Sequence, residues 1–191
     1  VRLGSPDLPR SFPVSLFHVP AEYATDYPPP RGNALLLSCM DLRLLDDIEE
    51  FMDHDNLANR YDHLVFAGAS LGALGAPGAA PEYPHWRQCF FDHLGAAVEL
   101  HAVKDVYVME HRHCGAYHGV FKVCPEFGDS PKEQAEEEAV HLKYATLLEA
   151  EIGKWAAGRG VELRVRKFLM DLRGGVTQLT SARTGRGKRT S

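Results

Sequence analysis

The chain has 191 residues with a formal net charge of −5, and its 45% hydrophobic and 25% charged residues are those of one ordinary globular domain with room for a sizeable core. The acidic balance excludes a nucleic-acid surface as the main function, because phosphate neutralisation needs clustered cations and the one basic cluster, Arg183, Arg186, Lys188 and Arg189, is terminal. No apolar run approaches the ~20 residues that span a bilayer and no signal-type stretch is present, so the expectation is a cytoplasmic protein whose four cysteines are reduced thiols or metal ligands.

Residues 1–33 hold prolines at 6, 9, 13, 20, 28, 29 and 30, which rule out long helices and predict an extended N-terminal arm. Ala34 to Cys39, ALLLSC, is a continuous apolar run of strand length that reads as a strand buried on both faces. From Met40 the period becomes helical through Leu42, Leu45, Ile48 and Met52. His63 to Ala67 is a second strand candidate, and Gly68 to Pro84 reads as a long loop, a lid or pocket wall as readily as a tolerated surface insertion. Trp86 to His101 is amphipathic through Phe90, Leu94, Ala97 and Val98, and leads to the strand Asp105 to His111.

After a short helix in HCGAYHGVF comes Pro131 to Ala157, with an apolar stripe of Val140, Tyr144, Leu147, Ile152 and Trp155. Glu162 to Leu172 is the last predicted strand, followed by a turn at Gly174 and Gly175. Strands alternating with helices predict an α/β fold, a mainly parallel sheet flanked by helices, whose ligands sit at the carboxyl ends of the strands. The expected organisation is an arm over 1–33, a single α/β domain over 34–179 and a flexible basic tail over 180–191.

Cys39 closes the first strand, His111 closes a later one, and Cys114 follows three residues on. Thiolate and imidazole donors favour zinc over magnesium or calcium, and three protein ligands with an open fourth position are the catalytic pattern. Asp41 and Arg43 follow in Cys39-Met40-Asp41-Leu42-Arg43, spaced to pair with each other beside the ligand end of Cys39. Other polar residues carry weaker signals. His113, His118 and Tyr117 read as solvated residues near the ligands, Cys89 as a buried small hydrophobe, Cys124 as a thiol without a second metal partner, and Glu136, Glu137 and Glu138 as a solvated helix face.

C-x-D-x-R ending one buried strand with H-x-x-C ending another resembles the β-carbonic anhydrase family, over about Ala34 to Leu179. The resemblance implies zinc on Cys39, His111 and Cys114, an Asp41–Arg43 dyad at the reacting water, and reversible hydration of carbon dioxide to bicarbonate by hydroxide that zinc supplies. It also implies a homodimer or larger homo-oligomer embraced by N-terminal segments, for which apolar Phe12, Val14, Leu16, Phe17 and Val19 are suited. Val65-Phe66 stands before Ala67-Gly68 where the family commonly has Arg-Asn, and Ala69-Ser70 stands where Asn often follows. These departures keep two alternatives open: hydrolysis of carbonyl sulfide or carbon disulfide on the same centre, and a zinc-bearing scaffold that binds bicarbonate without turnover.

Overall fold

The computed structural model describes residues 27–180; the basic tail beyond Thr180 and most of the proline-rich arm, with its apolar residues, lie outside the described residues. Five strands form one sheet in the order β2-β1-β3-β4-β5, with β1 Ala34–Ser38, β2 Tyr61–Val65, β3 Asp105–His111, β4 Arg164–Met170 and β5 Val176–Gln178. All pairings are parallel except β4 with β5, a hairpin through Gly174 and Gly175 that the sequence reading stopped short of. β1 and β3 are central and buried at every position, which is why their sequences run apolar rather than alternate.

Helices cover both faces: α1 Leu45–His54, α2 Ala69–Ala73, α3 Pro84–His101 and α4 Pro131–Ala157. Leu35, Leu37, Val106 and Val108 face α2, α3 and α4, while Leu36, Tyr107, Met109 and Phe168 face α1. Each fully buried Leu or Phe in these layers contributes about 1.5–3 kcal/mol. No helix among the described residues is long and apolar enough to cross a membrane.

Several expectations are corrected. Leu42 and Leu45 are exposed, because a 3-10 turn over Leu42–Leu44 precedes α1 and rotates Leu44, Ile48, Phe51 and Met52 into the core. Leu148 rather than Leu147 is buried on α4. Cys89 faces outward on α3, beside His93. The helix expected after Cys114 is a single π-helical turn, Ala116–Val120.

The largest correction concerns Gly68 to Pro84, where α2 is buried at all five positions between α3, α4, β1 and β3. This part is core, while residues 77–83 form an exposed to half-buried connection to α3. The residues of α2, ASLGA, are too small and too few to show a helical period, and packing supplies the stability that five residues lack alone.

Residues 27–31 cross the amino end of the sheet. Tyr27 packs edge-on against Phe168 at 5.1 Å and donates to Asp55 at 2.6 Å, while Arg164 and Arg166 each donate to the Pro29 carbonyl at 2.8 Å. Asp105, wholly buried at the start of β3, accepts the Arg31 N–H at 2.7 Å and Arg164 Nε at 2.5 Å.

Two glycines test the packing of α2 against an ordinary helix. A Cβ on Gly72 would meet the Ala67 carbonyl oxygen at 2.3 Å, whereas one on Gly95 in α3 would meet only Trp155 Cζ2, at 3.6 Å. Gly72→Ala is expected to cost about 1–3 kcal/mol, as overpacking does. Gly95→Ala should gain about 0.5–1 kcal/mol by the helix propensity of alanine. Denaturant midpoints measure both, and equal midpoints for the two variants would contradict the packing described.

Candidate metal centre

β1 and β3 start level, with Ala34 opposite Asp105 and Leu37 opposite Val108, so Cys39 and His111 leave the sheet at the same end. Between His111 and Cys114 the chain reverses through His113, whose φ of 56° turns the segment back on itself. The result is a buried group: the ligand atoms of Cys39, His111 and Cys114 all lie within 4.8 Å of one another. Among the described residues no other such group forms, and Cys124 stands apart from it.

The donors fit a tetrahedral ion. Cys39 Sγ and Cys114 Sγ are 3.8 Å apart, the edge of a tetrahedron whose metal–sulfur bonds are about 2.3 Å. His111 Nδ1 lies 2.9 Å from the Arg112 carbonyl oxygen, which can only accept, so Nδ1 carries the proton and the Nε2 lone pair is left to face the sulfurs. That Nε2 is the one buried side-chain nitrogen or oxygen without a partner among the described residues. A soft ion of the zinc type answers both the orphaned nitrogen and the donor set.

The contact with Cys114 and the neighbouring His111 lower the Cys39 thiol despite burial. The Cys114 thiol is raised correspondingly, by that same contact and by burial. Burial opposes a charge on His111, but the Cys39 thiolate outweighs it and the net shift is upward. Gly68 adds its N–H to Cys39 Sγ at 3.3 Å. Its φ is +74°, and a Cβ there would press at 3.4 Å on Ala116 and on the Tyr117 and Phe121 rings, so glycine allows this approach.

Asp41 caps the 3-10 turn and stands at the edge of the group, its Oδ2 3.8 Å from His111 Nε2. Arg43 grips it with both arms, Nε to Oδ1 at 2.8 Å and Nη2 to Oδ2 at 2.6 Å, and the Arg43 N–H adds 3.1 Å to Oδ1. These bonds lower the Asp41 carboxyl to about 2. Arg43 Nη2 also reaches the His113 carbonyl at 3.4 Å, joining the segment after β1 to the ligand turn after β3. The five residues singled out in the sequence are thus together.

Other polar groups behind the centre were missed. Glu137, expected to be solvated, is buried and accepts from Arg112 and the His113 N–H. Tyr117 is buried against Glu110, which also receives Ser70 and His141. Signals existed: Glu110 interrupts the apolar run of β3, and Glu137 and His141 fall on the stripe of Val140 and Tyr144. His113 is partly exposed and its Nε2 lies 3.2 Å from Asp129.

No family model matches the sequence. An uncharacterized protein of Rickettsia bellii is 31% identical over 148 residues, 78% of this chain and 82% of its own length. One of Rickettsia conorii is 29% identical over 148 residues, 78% of this chain and 72% of its own. Among solved structures, the wild-type β-carbonic anhydrase CafD of Aspergillus fumigatus matches with a TM-score of 0.51 and 12% identity, covering 85% of this chain and 100% of its own. A mutant form of the same enzyme gives 0.52 and 14% over the same coverage. The chain therefore has the fold of these enzymes.

Purified protein is expected to carry about one zinc ion per chain, and Cys39→Ser, His111→Ala or Cys114→Ser should each deplete it, since two remaining donors hold the ion poorly. Elemental analysis decides; full zinc content in all three variants would dismantle the centre.

Proposed function

We propose that this chain, which belongs to the same family as the Rickettsia bellii protein and has the β-carbonic anhydrase fold, hydrates carbon dioxide reversibly to bicarbonate with zinc on Cys39, His111 and Cys114. The observation that carries the reading is the bare His111 Nε2 among two sulfurs, with an Arg43-clamped carboxylate beside it. Zinc held there supplies the Lewis acidity that makes hydroxide available near neutral pH.

The chain's own residues do the rest. Two thiolates and one imidazole would hold the ion and offset its charge. Asp41, kept ionised by Arg43, is an acceptor only, so it takes a hydrogen bond from the nucleophile and turns a lone pair toward the substrate carbon. Phe66, Tyr83, Trp86 and Phe121 form an aromatic cluster that meets Gly68 next to Cys39, apolar surroundings that suit a small uncharged substrate. Thiolate ligands suit a reducing compartment, which is the ground for placing the protein in the cytoplasm.

A second copy of the chain is the partner we assign. Met40, Leu42 and Leu45 are 68%, 81% and 57% exposed and lie with exposed Val65 at the carboxyl ends of β1 and β2. This apolar rim would be covered in a symmetric dimer. Light scattering should give twice the chain mass, and a monomer at high concentration that still turns over substrate would refute the assignment.

Stopped-flow hydration of carbon dioxide, run beside carbonyl sulfide and carbon disulfide hydrolysis, tests the reaction. Asp41→Asn should keep its zinc and lose about 100-fold or more in kcat, the range of a lost acid–base group. Zinc-loaded protein inert toward carbon dioxide would overturn the hydratase reading, and undiminished kcat in Asp41→Asn would remove Asp41 from the mechanism.

A further inference from the structure

Glu137 and His141 lie one turn apart on the buried side of α4, and each is only 2% exposed. Both reach the chain immediately around the ligand His111. Glu137 Oε1 accepts the His113 N–H at 2.5 Å and Oε2 accepts Arg112 Nε at 3.0 Å. His141 Nδ1 lies 2.9 Å from Glu110 Oε2, and Glu110 is further held by Tyr117 Oη at 3.2 Å, the Ser70 N–H at 3.0 Å and the Ser70 hydroxyl. One face of α4 therefore holds residue 110 on one side of His111 and residues 112 and 113 on the other.

Plain core packing is the rival account. A buried carboxylate and a buried imidazole are a costly way to pack a helix, since apolar residues of similar volume are often neutral or stabilising in place of buried charged pairs. Their aim also argues otherwise, because both converge on the neighbours of a single ligand. His113 has a positive φ, a conformation that needs outside restraint in a residue with a side chain, and its N–H is the group Glu137 receives. Arg112 is held in turn by the Gly128 carbonyl and Asp129, each at 3.2 Å, so the Glu137 charge is balanced at the turn itself.

We propose that α4 positions the metal ligands, with Glu137 the positioning residue whose carboxylate fixes the turn from His111 to Cys114 in its ion-binding form. This rests on the metal reading above and adds to it a residue outside the ligand set. Outer-shell partners of this kind are worth about 10–100-fold in metal affinity.

The test uses the full chain, chelator competition for zinc and cobalt affinity, and the visible d–d bands of the cobalt-loaded protein as a report on ligand geometry. Glu137→Ala should weaken both ions by about 100-fold and alter the bands, and Glu137→Gln, which keeps one acceptor oxygen, should lose about 10-fold. Ile152→Ala, fully buried on the same helix but away from the turn, should lose stability and keep wild-type affinity and bands. Wild-type affinity and bands in Glu137→Ala, or equal losses in Ile152→Ala, would overturn the proposal. Should Glu137→Ala fail to fold, Glu137→Gln decides, and wild-type affinity there overturns it. Wild-type protein that binds neither ion would instead overturn the metal reading, and this inference with it.

Discussion

Parallel pairing of two strands that begin level is the constraint from which the centre follows. With Ala34 opposite Asp105, the first strand delivers Cys39 and the second delivers His111 to one end of the sheet, and neither side chain has to cross a layer to meet the other. A one-residue slip would turn every side chain on β1 to the opposite face, so register and donor placement are a single property. In the observed register Leu35 and Leu37 belong to one core layer and Leu36 to the other. The small, close-packed α2 follows from the same geometry, since the Gly68 N–H can approach Cys39 only where the next segment lies directly on the strand end.

Charge inside the molecule is handled by saturation. Asp105 is closed by a backbone N–H and a guanidinium, Glu110 by four donors, and Glu137 by a backbone N–H and Arg112. Each of these carboxylates thus meets at least two donors. His111 Nε2 is the exception among the buried side-chain nitrogens and oxygens of the described residues, and it belongs to the one group there that could hold an ion.

Much of this was legible in the residues. β3 and α4 have the bounds read from their sequences because length, period and flanking Pro or Gly all agree there, and the donor set stood out because soft ligands at strand ends are chemically distinctive. What escaped was decided by tertiary contact. α2 has no period to detect, and β5 has only three residues. Leu42 and Leu45 fit a helical stripe until the preceding 3-10 turn shifts the phase. Cys89 is apolar by type yet faces outward, and Glu137 sits between acidic neighbours that are solvated, with only its place on the stripe of Val140 and Tyr144 to mark it as different.

The seat of residues 27–31 has a mechanical consequence. Any pull on the chain ahead of Tyr27 enters the fold through Asp55 at the end of α1 and through Asp105, Arg164 and Arg166 at the amino ends of β3 and β4. Asp105 and His111 are the two ends of β3, six steps and roughly 20 Å apart at about 3.3 Å per residue. Force spreads sideways first, through the ladders that bind β3 to β1 and to β4, so the strand that carries the imidazole is braced on both flanks before any displacement reaches its far end.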